Sequence, residues 1–363
     1  MKFGVVFLLT MIGALWGEIC QAESMRFEYQ GSGGNCVGCE WVIADGVITS
    51  ETPEDFERFV EDEFGGSGGP ILYLNSGGGN LAAGLRLGEL IRQYGFSTAV
   101  GTSVRSRVSS HAHEIVPGVC ASACAYAFLG GVSRSAQPGE IGVHQFYDGS
   151  ALANPTEKAF DAYDLSSQQI MTGVVLEYVV RMGAGAEIVT SAAMTPPGDL
   201  RFFDQDELIA FRVTWSPWEF ESWRIEPYKS GVVAFTKTRD ETGTVTVFCR
   251  QPGVLTALVS EKDENASRRL QEPNAFDPLS IVEGMDAFGH VVPNTMMRTF
   301  ARNGQWNLEV TVPNFSMARV PARGETVDLD VSNHAPRVSH GLSRFLPRTS
   351  FAETVGVALR NCI

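Results

Sequence analysis

At 363 residues, this chain is long enough for two domains that each bury a core of their own. Its 44% hydrophobic and 19% charged residues are typical of a globular protein and exclude both a disordered chain and an integral membrane protein. The formal net charge of −14 comes without a cluster of lysines and arginines. Nucleic acid and anionic membrane surfaces are therefore disfavoured as partners.

Residues 1–22 are predicted to be a signal peptide. The segment Phe3–Trp16 is almost wholly apolar, but its 14 residues are too few to span a bilayer, which takes about 20. Small residues at Cys20 and Ala22 suit a cleavage site, whereas the residues before Cys20 do not suit lipidation. No later segment is long and apolar enough to cross a membrane. We therefore expect a periplasmic or secreted protein, cleaved after Ala22.

The first domain alternates between strands and helices. This alternation predicts βαβ units and a parallel sheet. The segment Ser103–Ile115, which contains two histidines and two arginines, is expected to be an exposed loop. In chain order the pattern predicts strands at Trp41–Ala44 and Val47–Thr49, a helix that Thr52 caps and Pro53 begins, a strand at Ile71–Leu74, a helix at Leu81–Tyr94, a strand at Ser97–Val100, a helix at Cys124–Leu129, a strand at Ile141–His144 and a helix at Leu165–Met182.

The composition shifts near residue 214, where tryptophans and prolines crowd a short stretch. After that the pattern turns to strand alternation, with a turn at Asp240–Gly243 that predicts a hairpin. The chain thus divides into a signal peptide (1–22), an α/β domain (23–214) and a smaller β-rich domain (215–363). The strands expected in the last domain are Gly231–Lys237, Thr244–Phe248, Val254–Val259, Trp306–Val312 and Val327–Val331.

Removal of Cys20 leaves an even number of cysteines, which favours disulfides in an oxidising compartment. Six cysteines allow 15 full pairings, and the sequence favours only Cys249–Cys362, because both lie in the C-terminal part. Cys36 and Cys39 form a CxxC motif, for which a redox pair or half of a metal site is the alternative. No second CxxC motif completes a zinc site. The candidates for disulfides are Cys36, Cys39, Cys120, Cys124, Cys249 and Cys362.

Three motifs carry the chemistry. An apolar strand ends in the glycine turn Asn75–Gly79, and Ser122 stands among small residues at a strand-to-helix turn. His144 follows at the end of a further strand. A glycine loop can supply backbone N–H groups, a serine at a turn can supply a nucleophile, and a histidine at the end of a strand can supply a base. Together these are the parts of an acyl-transfer site.

These motifs resemble those of the Clp protease proteolytic subunit and its relatives with the ClpP/crotonase fold. The family's Asn-Ser-Pro-Gly-Gly turn matches Asn75–Gly79, with Gly77 in place of proline. Its Ala-Ser nucleophile segment matches Ala121–Ala123, and its base strand matches Val143–Gln145. The family's acid directly precedes Arg-Phe, whereas Asp199 here stands one residue further away. The resemblance covers well under half of the chain.

The resemblance implies a βαβ superhelical core, a homo-oligomer and an exported serine peptidase or other acyl hydrolase acting on peptides or proteins. Ser122 would attack a carbonyl, and His144 would take the proton of the serine hydroxyl. Asp199 would orient the imidazole of His144. The N–H groups of Gly78 or Gly79, with that of Ala123, would hold the oxyanion. No metal or organic cofactor is implied.

Alternatives remain open for each residue. Ser122 is alternatively a helix cap, and His144 a histidine satisfied within the core. Asp204 and Asp206 compete with Asp199 for the acid, and Cys124 is the alternative nucleophile to Ser122. A non-catalytic protein that binds a partner or maintains the cell envelope is the alternative function, since inactive members share such folds.

Overall fold

The computed structural model describes residues 23–34, 39–107, 112–146, 162–269, 271, 284–322, 324, 326–329 and 346–363. The predicted signal peptide (1–22) and Cys36 lie outside these residues. The chain forms two compact units, of which the first ends at Trp215 and the second begins at Ser216. Their described residues are of mixed α/β structure, with several sheets and eight α-helices.

The first unit alternates strands and helices, as the sequence predicts. Its elements in chain order are β1 (Arg26–Gly31), β2 (Glu40–Asp45), α1 (Thr52–Phe64), β3 (Leu72–Asn75), α2 (Leu81–Gln93), β4 (Thr98–Val100), β5 (Thr102–Arg105), β6 (His113–Val116), β7 (Cys120–Ala121), α3 (Ala123–Phe128), β8 (Arg134–Ser135), β9 (Ile141–Val143), α4 (Ala162–Arg181), α5 (Glu187–Ala193), β10 (Arg201–Phe202) and α6 (Gln205–Ala210).

Two sheets organise this unit. In the larger sheet, of order β1-β2-β3-β4-β8, the last four strands are parallel and β1 pairs antiparallel with β2 at the edge. In the smaller sheet, of order β10-β9-β7, β7 and β9 are parallel and β10 is antiparallel. A parallel bridge between Ser76 and Cys120 connects the end of β3 to β7. The glycine turn after β3 therefore reaches the strand that precedes Ser122.

Two sequence predictions in this unit were wrong in detail. Val47 and Ile48 form only isolated bridges, because they follow the Gly46 turn and pair one residue at a time with Ser24 and Gly79. The helix α1 begins at Thr52 itself, with Glu51 at the cap position, so the threonine does not cap it. The N-cap of α2 is Asn80, whose side chain accepts the Ala83 N–H at 2.9 Å.

The core of the first unit lies against α3, all six residues of which are buried. Close packing of α2 on α3 and α4 depends on two glycines one helical turn apart. A Cβ on Gly84 would lie 2.6 Å from the Ala123 carbonyl oxygen, and one on Gly88 would overlap the Tyr178 hydroxyl. That hydroxyl donates to the Tyr126 carbonyl at 2.8 Å. These contacts fix α3, and with it the turn that carries Ser122.

The elements of the second unit in chain order are β11 (Arg224–Tyr228), β12 (Gly231–Lys237), β13 (Gly243–Gln251), β14 (Val254–Lys262), α7 (Ala266–Arg269), β15 (Gly284–Ala287), β16 (His290–Pro293), β17 (Met297–Arg302), β18 (Gln305–Pro313), β19 (Thr326–Val327), β20 (Leu346–Pro347) and α8 (Phe351–Arg360). Six of these strands form an antiparallel sheet of order β11-β12-β13-β14-β18-β17. The C-terminal helix α8 packs on β12 and β13, and the hairpin predicted at Asp240–Gly243 joins these two strands. Residues 330 and 331 of the predicted last strand lie outside the described residues.

Candidate active site

Ser122 lies at the sharp turn between β7 and α3. Its N–H donates to the Gly142 carbonyl at 2.9 Å, which keeps the residue beside β9 even though β7 has ended. On the other side, the Ala121 N–H donates to the Ser76 carbonyl at 2.9 Å. The turn is thus held between the glycine turn after β3 and the strand that leads to His144.

The backbone of Ser122 is in a conformation that side-chain-bearing residues rarely adopt. Its φ is 57° and its ψ is −124°, at the N-cap position of α3. The side chain makes no capping hydrogen bond to the helix. The helix-cap interpretation of this serine is therefore wrong. Strand-to-helix turns with a strained serine also occur in α/β-hydrolases, where the turn exposes the serine Oγ above the sheet.

Gly78 lies directly against this turn. A Cβ on Gly78 would be 2.6 Å from the Ser122 Cβ, 2.8 Å from the Ala121 carbonyl oxygen and 3.1 Å from the Ala123 nitrogen. Its φ of 107° also favours glycine. The close approach of the two loops thus requires a residue without a side chain at position 78.

The structure distinguishes between the two glycines predicted to hold an oxyanion. The Gly78 N–H donates to the buried Ser76 Oγ at 3.1 Å. The Gly78 carbonyl accepts the Ile48 N–H at 2.9 Å, and in a trans peptide the next N–H points the opposite way. The Gly79 N–H therefore points away from Ile48. Gly79 is the better candidate donor.

The Ala123 N–H is the second candidate donor. Ala123 is the first residue of α3, where N–H groups have no acceptor within the helix. The Ala125 N–H is already used, since it bonds back to the Ser122 carbonyl at 3.0 Å. The N-terminal end of α3 also carries a partial positive charge, which favours negative charge beside Ser122.

Sequence reasoning missed a polar network that holds the glycine turn. Asn75 Oδ1 accepts the Val119 N–H at 3.0 Å, and its Nδ2 donates to Asp45 at 3.1 Å. Asp45 also accepts the Thr102 hydroxyl at 2.6 Å. The sequence signal for this network is the Asn-Ser start of the motif, whose side chains are polar. The network ties three strands to the site through Ser76 and its neighbours.

His144 directly follows β9 and is half-buried. Because β7 and β9 are parallel and Ala121 pairs with Gly142, Ser122 and His144 both lie at the carboxyl ends of adjacent strands. This edge is where open α/β sheets commonly place ligands. The next residue, Gln145, is fixed by the bond from its N–H to the Thr195 carbonyl at 2.9 Å.

Asp199 precedes β10, which pairs antiparallel with β9 through Arg201 and Val143. Antiparallel pairing places the start of β10 beside the end of β9, so exposed Asp199 lies at the same edge as His144. Asp204 has another role: it caps α6 in a capping box, and its carboxylate accepts the Glu207 N–H at 2.9 Å. Asp206 is exposed in the first turn of that helix.

Two disulfides are present in the described residues. One joins Cys120 and Cys124 on either side of Ser122, and the other joins Cys249 and Cys362, as the sequence favoured. Cys124 has no free thiol, so a cysteine nucleophile at that position is wrong. Cys39 is also disulfide-bonded. Structural disulfides are typical of exported proteins, which reside in oxidising compartments.

A buried arginine fixes the other end of α3. Arg134 is 3% exposed and donates to the carbonyls of Val213 at 2.9 Å and Arg212 at 2.8 Å. It also donates to the carbonyls of Leu129 at 3.2 Å and Met182 at 3.0 Å. Burial lowers the pKa of its guanidinium to about 9, with a smaller contribution from neighbouring positive charge. The C-terminal ends of α3 and α4 are thus joined by a buried cation.

The segment expected to be an exposed loop is partly a hairpin. Strands β5 and β6 pair antiparallel, with Thr102 opposite Val116 and Arg105 opposite His113. The polar residues of both strands gave no apolar alternation from which the hairpin could be predicted. His111 lies outside the described residues.

A cleft of about 350 Å³ lies at the far end of α2, lined by Arg86, Glu89, Arg92, Gln93, Arg181 and Met182. It contains none of the predicted site residues. In the described part of the chain, no helix is long and apolar enough to cross a membrane. Nor does that part contain a group of three or more His, Cys, Asp or Glu side chains arranged to hold a metal ion.

A scan against models of known protein families gave no match to this chain, and a search of curated protein sequences gave none either.

Proposed function

We propose that this chain is an exported serine peptidase or related acyl hydrolase with a ClpP/crotonase-like core. The observation that carries the proposal is the backbone of Ser122, which holds a strained conformation without capping its helix. Strain of this kind occurs mainly at functional sites, where the surrounding structure enforces it. A serine with a purely structural role at this turn would adopt the ordinary N-cap geometry and bond to the helix.

The neighbours of Ser122 support this chemistry. Ser122 Oγ attacks the substrate carbonyl, and His144 accepts its proton. The oxyanion that forms is held by the N–H groups of Ala123, which directly follows Ser122, and of Gly79, which directly follows the Gly78 that contacts the Ser122 turn. Asp199 orients the imidazole, and His144 then gives its proton to the leaving group. Water hydrolyses the acyl-enzyme in a second step.

The resemblance supports the remaining parts of the proposal. We propose a peptide or protein substrate, a homo-oligomer and a periplasmic or secreted location after cleavage of residues 1–22. The disulfides support the location, since they form and persist in oxidising compartments.

Covalent labelling tests the proposal. The oxidised protein is incubated with a fluorophosphonate probe beside Ser122→Ala, His144→Ala and Ser135→Ala, the last a control at an exposed serine on β8. We expect wild type and Ser135→Ala to be labelled at equal rates, Ser122→Ala not at all, and His144→Ala at least about 100-fold more slowly. A folded wild-type protein that takes up no probe would exclude an activated serine and favour the binding role.

A further inference from the structure

A disulfide closes across the turn that carries Ser122. Cys120 is the first residue of β7 and Cys124 the second residue of α3, with Ser122 midway between them. Both cysteines are 0% exposed, and their Cα atoms lie 5.1 Å apart. The covalent ring therefore contains the entire strand-to-helix turn.

The backbone of this turn needs a constraint from outside Ser122. A serine at φ 57° and ψ −124° keeps that conformation only if its surroundings enforce it. The helix that follows has six residues, too few to be stable without tertiary support. If Ser122 relaxed to a negative φ, its Oγ and the Ala123 N–H would both move. The nucleophile and one oxyanion donor would be lost together.

Stability alone does not explain the position of this disulfide. A disulfide restricts the unfolded chain more when it closes a longer loop. Cys120 and Cys124 are 4 residues apart, whereas Cys249 and Cys362 are 113 apart. The short ring is thus the weaker stabiliser of the two, and what it fixes is the local geometry around Ser122.

We propose, on the basis of the function proposed above, that Cys120 and Cys124 are positioning residues whose oxidation makes Ser122 reactive. The two thiols exchange with an organic disulfide, which takes up two electrons and two protons and leaves as two thiols, while the bond between Cys120 and Cys124 forms. The reduced chain folds but reacts slowly at Ser122. Activity then begins only after export to an oxidising compartment.

The test compares two disulfide deletions. Cys120→Ala/Cys124→Ala removes the ring around Ser122, and Cys249→Ala/Cys362→Ala is the matched control in the other unit. For each protein, the fluorophosphonate reaction is followed over probe concentration and pH, and the thermal unfolding midpoint is measured. We expect the first variant to lose at least about 10-fold in maximal labelling rate, with little change in the probe's apparent affinity. We expect the control variant to keep the wild-type labelling rate and to show a larger decrease in thermal unfolding midpoint than the first variant.

A redox titration covers the case in which the first variant does not fold. Wild type is unfolded, reduced, refolded and then oxidised with glutathione disulfide, and peptide mass mapping follows each disulfide. Labelling that rises together with the Cys120–Cys124 bond supports the inference. Full labelling while this pair is reduced, or a wild-type rate in a folded Cys120→Ala/Cys124→Ala, overturns it and leaves the proposed function standing. An oxidised wild type that takes up no probe overturns both.

Discussion

The contact between Gly78 and the Ser122 turn gives the sharpest prediction. In Gly78→Ala, the new methyl carbon would lie 2.6 Å from the Ser122 Cβ and 2.8 Å from the Ala121 carbonyl oxygen. Neither neighbour is the far end of a flexible side chain, so the two loops must move apart. The residue would also keep a φ of 107°, which costs a residue with a side chain about 1–3 kcal/mol.

Both stability and reactivity should therefore fall. We expect the free energy of unfolding to decrease by about 1–3 kcal/mol from backbone strain alone. Moving the glycine turn also moves the Gly79 N–H, the proposed oxyanion donor, and removal of one oxyanion donor typically costs about 100- to 1000-fold in rate. The assays are urea unfolding and the rate of fluorophosphonate labelling, measured where the variant is fully folded.

Gly77→Ala is the matched control one residue earlier. A Cβ on Gly77 meets nothing within 4 Å, so the substitution only restricts the unfolded chain. It should leave labelling unchanged and raise stability by about 0.4–1 kcal/mol. If folded Gly78→Ala reacted at the rate of Gly77→Ala, the glycine turn would have no part in the chemistry of Ser122.

Three further substitutions separate catalytic from structural roles. Asp199→Ala should slow labelling and leave the free energy of unfolding unchanged. Asp204→Ala should lose about 1 kcal/mol of unfolding free energy with its capping box and be labelled at the normal rate. The opposite pattern in labelling rates would assign the role of the acid to Asp204. Arg134→Lys should lose about 1–3 kcal/mol of unfolding free energy, because one ammonium cannot donate to all the carbonyls that the guanidinium reaches. Unchanged urea unfolding would contradict the role of this buried cation in joining α3 to α4.

The local elements could be predicted from the sequence because their signals are local. The apolar run before Asn75 becomes β3, and the helical spacing after it becomes α2, ending one residue earlier than predicted. The pairing of Cys249 with Cys362 followed from their shared position in the chain and is confirmed. Short polar strands such as β5 carry no such signal, so the hairpin was missed.

The candidate site could be predicted only in part, because its geometry depends on contacts distant in sequence. The glycine turn reaches Ser122 through the Ser76–Cys120 bridge, and a pairing register cannot be read from residue types. The φ of Ser122 was equally hidden, since serine before a helix ordinarily indicates a cap. Which of the two glycines can offer its N–H became clear only from the bond between Gly78 and Ser76.

The central claim is that Ser122 is an activated nucleophile. The most direct measurement is peptide mass mapping of the oxidised wild-type protein after reaction with a stoichiometric fluorophosphonate, which locates the covalent adduct. We predict one phosphonyl group per chain, on the peptide that contains Ser122, and none after prior unfolding. An adduct spread over several exposed serines, or no adduct in the folded protein, would contradict the account.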